Sequence, residues 1–287
     1  MGLVDSILRH YPDSKLYVAP LDDYSLRIFE SRYKDVPAVI IEDGRIRKEF
    51  EQKNRDSGKA AESIFSLKPK LIENAIATEP ADYYIYCDSD VFAFRKFDFH
   101  SVDADIILSE HFFCKNLEGY AKYGKFNAGI IGFSRTPDSI KCLLWWKKKC
   151  DESTAIDPSQ GIVGDQKYLE EFPNIADSTR VLKLKTFNQS IWTFESDTKI
   201  SNGPSIDNSG VFFYHFHRVR FFRFIVTTGI NQYGNRFDRK KVFEEIYVPY
   251  FKQIAVNKGL VMPMLKRLPK IRRNMLKRYE WNYFSAR

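Results

Sequence analysis

Cysteine is scarce in this chain, and its few copies follow no functional spacing. The 287 residues contain four cysteines, with no C-x-x-C pair and no cysteine–histidine spacing of the zinc-binding kind: Cys87, Cys114, Cys142 and Cys150. Disulfide-stapled domains and structural zinc sites depend on such spacings. The sequence therefore argues against both and predicts reduced thiols in a cytoplasmic protein.

Long apolar runs are also missing. No stretch approaches the roughly 18 residues of a membrane-spanning helix, and we see no secretory signal, internal repeat or low-complexity segment. Hydrophobic residues still make up 44% of the chain, which predicts a globular protein with a sizeable core. The 24 Phe and 16 Tyr are explained most simply by that core, with sugar or base stacking as the alternative.

The first 225 residues lack the basic excess of the whole chain. They carry 31 Lys and Arg against 33 Asp and Glu, whereas residues 226–287 carry 14 against 4. The net charge of +8 is thus concentrated in the C-terminal segment. This distribution predicts a near-neutral domain at 1–225 and a basic helical extension at 226–287. Residues 260–284 favour contact with an acidic membrane surface, or else a terminal helix packed on the domain. The basic residues form no recognised nucleic-acid-binding module, so no nucleic-acid partner is expected.

Hydrophobic periodicity alternates between helix and strand along the first half of the chain. Such alternation predicts an α/β fold with a mixed, mostly parallel sheet flanked by helices. Helices are predicted at residues 3–10, 24–33, 60–78 and 137–150, and strands at 15–20, 38–41, 83–87, 104–108, 125–133 and 211–217. Two short strands are also predicted, at 182–186 and 191–194. A sheet of this type begins with a strand before its first helix. None precedes residues 3–10, so we expect that strand to be missing through truncation or a misassigned start.

Two carboxylates follow the most apolar predicted strand. Residues 83–87 lead into Asp88-Ser89-Asp90, and neighbouring buried carboxylates are costly unless paired or metal-bound. Oxygen ligands of this kind suit Mg²⁺ or Mn²⁺, and ligands of α/β sheets bind at the carboxyl ends of strands. The alternative is a solvated turn or a helix cap.

Three later motifs carry further polar groups. Asn127-Ala128-Gly129 interrupts an apolar strand, as happens where backbone or ligand approaches closely or where the strand bulges. Asp165-Gln166 follows a glycine-rich loop, where Asp165 is a ligand-binding residue or a helix N-cap. His215 and His217 end the last predicted strand and are candidate Mn²⁺ ligands, with structural histidines as the alternative. Arginines follow at 218, 220 and 223.

The order of these motifs resembles that of the retaining, GT-A-fold glycosyltransferases of family 8, above all their bacterial lipopolysaccharide and capsule members. The likeness covers residues 3–223. It is carried by the D-S-D motif, by Ser66-Leu67-Lys68-Pro69-Lys70, by the N-A-G and D-Q motifs and by His215-Phe216-His217.

The resemblance implies a Rossmann-like GT-A fold and transfer of a hexose, with retention, from a UDP-sugar to a cell-envelope glycan or glycolipid. It also implies a cytoplasmic or peripheral membrane location. The implied metal is Mn²⁺ or Mg²⁺, and the implied roles are as follows: metal ligands Asp88, Asp90 and His215; donor-binding residues Lys68, Asp88, Ser89, Asp90, Ala128, Gly129 and Arg220; catalytic residues Asn127, Asp165 and Gln166. The family's glycine after the histidine motif is replaced by Arg218, its Lys-Pro-Trp is absent, and Arg220 or Arg223 is the candidate substitute for that lysine.

Two rival functions remain at this stage. Asp88-Ser89-Asp90-Val91 also fits the D-x-D-x-V motif of haloacid-dehalogenase-like phosphatases. Those enzymes need an earlier nucleophilic Asp and a later Lys with an acidic pair. The second rival is a non-catalytic relative of the glycosyltransferases, which the replaced glycine and the missing first strand favour.

Overall fold

A computed structural model describes residues 2–201, 204–221, 225–257 and 283–285. The described part is a mixed α/β structure with eight α-helices and several small sheets. The helices are α1 (Gly2–His10), α2 (Asp23–Tyr33), α3 (Arg45–Ser57), α4 (Ala60–Thr78), α5 (Pro137–Glu152), α6 (Phe172–Ile175), α7 (Arg239–Val242) and α8 (Val248–Asn257).

Most of the strands are only two to five residues long. In chain order they are β1 (Leu16–Val18), β2 (Val39–Ile41), β3 (Tyr83–Cys87), β4 (Val91–Ala93), β5 (Ile106–Ser109), β6 (Ile130–Ser134), β7 (Ile156–Asp157), β8 (Ile162–Val163), β9 (Thr179–Leu182), β10 (Asn188–Gln189), β11 (Ile200–Ser201), β12 (Ser205–Ile206), β13 (Ser209–Gly210), β14 (Phe213–His215), β15 (Arg220–Phe221), β16 (Ile225–Thr227) and β17 (Tyr283–Ser285).

The largest sheet has the strand order β3-β6-β5-β9. Strand β6 lies between β3 and β5 and runs antiparallel to both, and only β5 and β9 are parallel in this sheet. The prediction of a mostly parallel sheet is therefore wrong for the described strands. A helical crossover is needed to return a chain in parallel. The chain between β5 and β6 instead forms a loop with a 3-10 segment, Lys115–Tyr123, and comes back in the opposite direction.

A second sheet lies beside the first and has the order β10-β14-β4. Its central strand β14 is antiparallel to β4 and parallel to β10. Alternation along β14 sends Phe213 into one hydrophobic cluster, and Tyr214 and Phe216 into another. His215 therefore shares its face of the strand with Phe213, opposite the face of Tyr214.

Helices α4 and α5 pack together and cover the large sheet. The core between them joins Ile72 of α4, Trp146 of α5 and Phe133 of β6. Helix α4 continues through Pro69, and α5 begins with Pro137 behind the N-cap Thr136, whose hydroxyl accepts from the amide of Ser139. These local signals explain why the two helices begin and end close to their predicted bounds.

The described part of the predicted C-terminal extension packs into the core. Ile230, Phe237, Ile246 and Tyr250 belong to one buried cluster with Phe216. Residues 239–257 are helical, with a π-helical turn at Phe243–Tyr247 between α7 and α8. The domain boundary at 225/226 stays a prediction, and the basic stretch at 258–282 lies outside the described residues.

Three shorter predictions differ from the structure. The predicted strand at 191–194 is a 3-10 turn, Ile191–Thr193. At the C-terminal end of the described chain, Tyr283–Ser285 pairs with β16 as a strand instead of continuing a helix. Helix α3 was not predicted, because its sequence is mostly charged and buries only Ile46. Within the described ranges, no helix has the length and apolarity needed to cross a bilayer.

Candidate functional site

Strand pairing brings the motifs together. Cys87 lies opposite Ile130 in the β3–β6 pair, so the amide of Asp88 donates to the carbonyl of Gly129 at 2.8 Å. In the β4–β14 pair His215 lies opposite Val91, which places it next to Asp90. Two antiparallel registers thus bring the D-S-D, N-A-G and histidine motifs together, although they extend from Asp88 to His217 in the sequence.

Asp88 faces a buried cation. Lys68, on helix α4, is only 5% exposed, and its Nζ lies 3.0 Å from Asp88 Oδ1. The hydroxyl of Tyr86 donates to the same carboxylate at 2.6 Å, and burial followed by the nearby Asp88 charge raises the Tyr86 pKa well above its usual value. Asp88 is therefore held in place by two protein groups on the side that faces the core.

Lys68 also binds Asp165. Its Nζ lies 3.1 Å from Asp165 Oδ2 and donates to the carbonyl of Ala128 at 3.3 Å. Burial alone would lower the Lys68 pKa, but the two carboxylates outweigh it and the pKa is raised. Burial raises the pKa of Asp165 despite its ion pair with Lys68. We call Lys68, Asp88 and Asp165 the lysine cluster. Asp165 is buried in an ion pair, so the N-cap alternative does not describe it.

Asp90 faces two histidines. Its Oδ1 lies 2.9 Å from His215 Nε2, and the ligand atoms of Asp90, His215 and His217 all lie within 4.8 Å of one another. Burial would raise the Asp90 pKa, but the His215 charge outweighs it and lowers the pKa to about 2. Burial and the His215 charge lower the pKa of His217 to about 4. We call Asp90, His215 and His217 the histidine cluster.

The N-A-G motif gives His215 its space. A Cβ on Gly129 would lie 2.7 Å from the Cε1 atom of His215 and equally close to the Asn127 side chain. The Asn127 Oδ1 accepts from the Gly129 amide at 2.7 Å, and Asn127 is buried. Glycine at 129 therefore lets the imidazole pack against the backbone, and Asn127 fixes the turn.

Gln166 connects the N-A-G motif with the chain before it. Its Oε1 lies at hydrogen-bond range, 3.5 Å, from the Ala128 amide, and its Nε2 donates to the Tyr123 carbonyl at 2.9 Å. A Cβ on Gly124 would come within 2.8 Å of the Gln166 side chain. Gln166 thus links the loop that contains Ala128 to the segment that contains Tyr123.

The histidine cluster has a donor set suited to a divalent metal. It offers one carboxylate and two imidazoles. A second carboxylate is nearby, with Asp88 Oδ2 3.9 Å from His215 Nε2. The His215 Nδ1 atom is buried without a hydrogen-bond partner among the described residues. Mixed nitrogen and oxygen ligands favour a transition metal such as Mn²⁺ over Mg²⁺. The residues present therefore fit the metal implied by the sequence.

Arg220 and Arg223 were the arginines predicted to contact the donor. Arg220 is exposed on β15, opposite Thr227, and Arg223 lies outside the described residues. Arg218 directly follows His217 and has a φ of +61°. Glycine adopts that backbone conformation at little cost, whereas other residues do not. Arg218 thus adopts a left-handed backbone conformation that favours glycine.

Comparisons with known proteins give limited information. No protein-family model matches the chain. It is similar to two curated Bacillus subtilis proteins, "Uncharacterized protein YfnD" (23% identity, covering 87% of this chain and 82% of the relative) and "Uncharacterized protein YfnF" (25% identity, covering 77% of each).

One solved structure has a partial likeness to this one. It is a glycosyltransferase involved in the glycosylation of the major capsid of PBCV-1, at 13% identity and a TM-score of 0.44, covering 71% of this chain and 92% of that chain. A TM-score below 0.5 does not establish a common fold. We therefore base the function on the side-chain geometry of this chain.

The predicted site residues differ in their surroundings. Asp88, Asp90, Lys68 and His215 converge, whereas Ser89 is exposed and has no side-chain partner within the described part of the chain. Asn127 and Asp165 are buried and bound to protein groups, so their observed contacts position neighbouring residues.

Sequence reasoning missed two residues beside the histidine cluster. Trp192 packs against both His215 and His217, with ring centroids 5.6 and 5.7 Å away, and its indole nitrogen donates to the carbonyl of His111. Burial lowers the pKa of His111 to about 4. No motif marks Trp192 or His111, whereas His217 was named as a candidate ligand from its place beside His215 in the last predicted strand.

Proposed function

We propose that this chain is a metal-dependent glycosyltransferase of the family 8 type. It would transfer a hexose from a nucleotide-diphospho-sugar, with UDP as the expected nucleotide, to a glycan or glycolipid acceptor of the cell envelope. Retention of configuration and action at the cytoplasmic face of the membrane belong to the same proposal. They come from the motif resemblance and have no separate support.

The observation that carries the proposal is the meeting of five distant motifs around Asp88 and Asp90. Lys68 comes from helix α4, the D-S-D motif from the end of β3 and His215 from β14. The N-A-G and D-Q motifs complete the site. A phosphatase of the haloacid-dehalogenase type is expected to carry its lysine after the nucleophilic Asp in the chain, whereas the lysine that contacts Asp88 at 3.0 Å is the earlier Lys68.

Asp90, His215 and His217 hold the metal in this proposal, with Asp88 beside them. When bound, a divalent ion neutralises the diphosphate of the donor and makes it a better leaving group. The protein holds the ligands before the donor arrives. Trp192 packs on both imidazoles, and the carbonyl of His215 accepts from the Ser190 hydroxyl at 2.7 Å.

The lysine cluster acts as a support. Lys68 fixes Asp88 and offsets part of the negative charge of Asp88 and Asp165, which reduces the repulsion of an anionic ligand above the D-S-D motif. Asn127 and Asp165 are positioning residues, because their observed partners are Gly129 and Lys68. Gln166 aligns the loop that bears Ala128 with the segment that ends at Gly124.

The first test is ligand-dependent thermal stability with UDP, GDP and CDP, each with and without Mn²⁺. A ligand that binds the native state raises stability according to its concentration relative to its Kd. We expect UDP to raise the melting temperature only when Mn²⁺ is present, and the Asp90→Ala variant to lose this shift while keeping its fold. Equal shifts in the two proteins would sink the proposed site.

The second candidate is a non-catalytic relative that binds a nucleotide or a glycan. One observation favours it: Lys68, predicted to reach the donor, is buried between two carboxylates. Incubation with UDP-hexoses and Mn²⁺, followed by assay of released UDP, separates the two. Binding without any turnover, either to water or to sugar acceptors, would favour the non-catalytic relative. Release of phosphate from p-nitrophenyl phosphate would instead revive the phosphatase.

A further inference from the structure

An aromatic surface adjoins the histidine cluster. It consists of Phe113, Tyr120, Tyr123 and Tyr233, and we call it the aromatic patch. Tyr120 is at its centre, with ring centroids 6.0 Å from Phe113, 5.8 Å from Tyr123 and 5.5 Å from Tyr233. Tyr120 is 40% exposed. The rings therefore form one continuous, partly open surface.

The patch is attached to the proposed site at two points. Tyr233 lies 6.2 Å from the ring of His217 and 6.1 Å from Trp192, which itself packs on both histidines. On the other side, Gln166 holds the carbonyl of Tyr123. A ligand on the patch would consequently lie beside the metal ligands and beside the D-Q motif.

The backbone below the patch is unusual. Phe112 has a φ of +52°, a left-handed conformation that is unfavourable for a bulky residue. Its neighbour Phe113 stacks on the buried His111, with centroids 4.6 Å apart and planes at 8°. Strained residues of this kind concentrate at ligand sites, so the orientation of Phe113 is imposed by the surrounding structure.

Other exposed aromatic residues do not form such a surface. Tyr24, on helix α2, is 69% exposed and makes no ring contact within the described part of the chain. Single exposed rings are normal on protein surfaces, whereas a contiguous group marks a binding surface. Tyr24 therefore serves as a matched control for Tyr120.

We propose that the aromatic patch binds a pyranose ring of the acceptor glycan next to the reaction centre. The faces of the rings carry negative charge density and attract the polarised C–H bonds on the apolar face of a sugar. Lys122 lies over the Tyr123 ring, 5.2 Å from its centroid, and can donate hydrogen bonds to the sugar hydroxyls at this edge of the patch.

This inference rests on the proposed glycosyl transfer, but it can be tested separately from it. The probes are methyl α- and β-pyranosides of glucose, galactose and mannose, observed by saturation-transfer NMR. We expect at least one of them to bind the wild-type protein through its C–H protons. The Tyr120→Ala variant should raise its Kd by about two- to tenfold, whereas Tyr120→Phe and Tyr24→Ala should leave it unchanged.

A nucleotide measurement on the same proteins separates the two proposals. The Mn²⁺-dependent stabilisation by UDP should be equal in wild-type, Tyr120→Ala and Tyr24→Ala proteins. If UDP fails to bind any of them while the pyranoside effect at Tyr120 persists, the donor proposal fails and the sugar-binding patch stands.

Three results would overturn the patch. The first is the absence of pyranoside binding to the wild-type protein, and the second is equal binding by Tyr120→Ala. The third is that uridine, not a pyranoside, depends on Tyr120, which would make the patch a base-stacking surface. A further readout follows transfer from UDP-hexose to the bound pyranoside: Tyr120→Ala should raise the acceptor KM and leave hydrolysis of the donor unchanged.

Discussion

Asp88 and Asp90 are separated by one residue, yet they lie in opposite environments. Asp88 faces the core, is 23% exposed and contacts Lys68 and Tyr86. Asp90 faces outward, is 39% exposed and contacts His215. In the lysine cluster a buried cation lies between two carboxylates, whereas the histidine cluster joins one carboxylate to two imidazoles. The comparison teaches that the two carboxylates of this D-S-D motif have different partners, a buried lysine for Asp88 and two imidazoles for Asp90.

The strongest test of this contrast removes the buried cation. Lys68→Met leaves Asp88 and Asp165 side by side without a positive charge, so we expect the free energy of unfolding to fall by about 3–5 kcal/mol. Urea denaturation measures the loss. The control is Lys70→Met on the same helix: Lys70 is half-buried in a network with Glu49 and Asp151, and its loss should cost about 1 kcal/mol or less. Equal losses would show that Lys68 has no special supporting role.

The second test compares the two carboxylates directly. Asp90→Asn should weaken Mn²⁺ binding by more than about 100-fold, and Asp88→Asn by about 10- to 100-fold, as expected when a supporting group is lost. Isothermal titration calorimetry with Mn²⁺ alone measures both. The contrast between the aspartates is wrong if Asp88→Asn has the larger effect.

The third test moves His215 without changing its chemistry. Gly129→Ala places a methyl group 2.7–2.8 Å from the imidazole, and overpacking of this kind costs about 1–3 kcal/mol. We expect lower stability together with weaker Mn²⁺ binding. Gly119→Ala is the control, because a Cβ there meets nothing within 4 Å. A variant at 129 that behaves like the one at 119 would contradict the packing described for the N-A-G motif.

The smallest expected effect concerns the backbone after the histidine cluster. Arg218→Gly relieves a left-handed φ and should raise the free energy of unfolding by about 1 kcal/mol. The same variant removes a cation next to His217, so UDP binding should weaken while stability rises. Arg220→Ala is the matched comparison, since it removes a charge without changing the backbone. If UDP binding weakens in Arg220→Ala but not in Arg218→Gly, the diphosphate contacts Arg220 and the expectation for Arg218 is wrong.

Local sequence signals predicted much of the fold. The strand at 83–87 and the helix at 60–78 match β3 and α4 residue for residue, because each has a strong apolar pattern and a clear boundary. Strands of two or three residues such as β4 and β10 were missed, since their pairing is decided by partners far along the chain. The direction of β6 was missed for the same reason.

The sequence predicted those residues of the candidate site that belong to a recognisable motif. Asp90 and His215 were named from their motifs and lie together. The pairing of Lys68 with Asp165 was not foreseen, because no spacing reports which buried charges meet. The aromatic patch joins residues 113–123 with Tyr233, and only the folded chain brings these rings together.

Strand β14 carries the histidine cluster and part of the hydrophobic core on adjacent residues. Tyr214 and Phe216 are fully buried, and His215 lies between them in sequence. A slip of one residue in the pairing with β4 would exchange these faces, sending an imidazole into the core and two aromatic rings into the site. Correct pairing of β14 and assembly of the histidine cluster are therefore the same event. A protein that has lost the register of β14 should lose cation affinity and cooperative unfolding together.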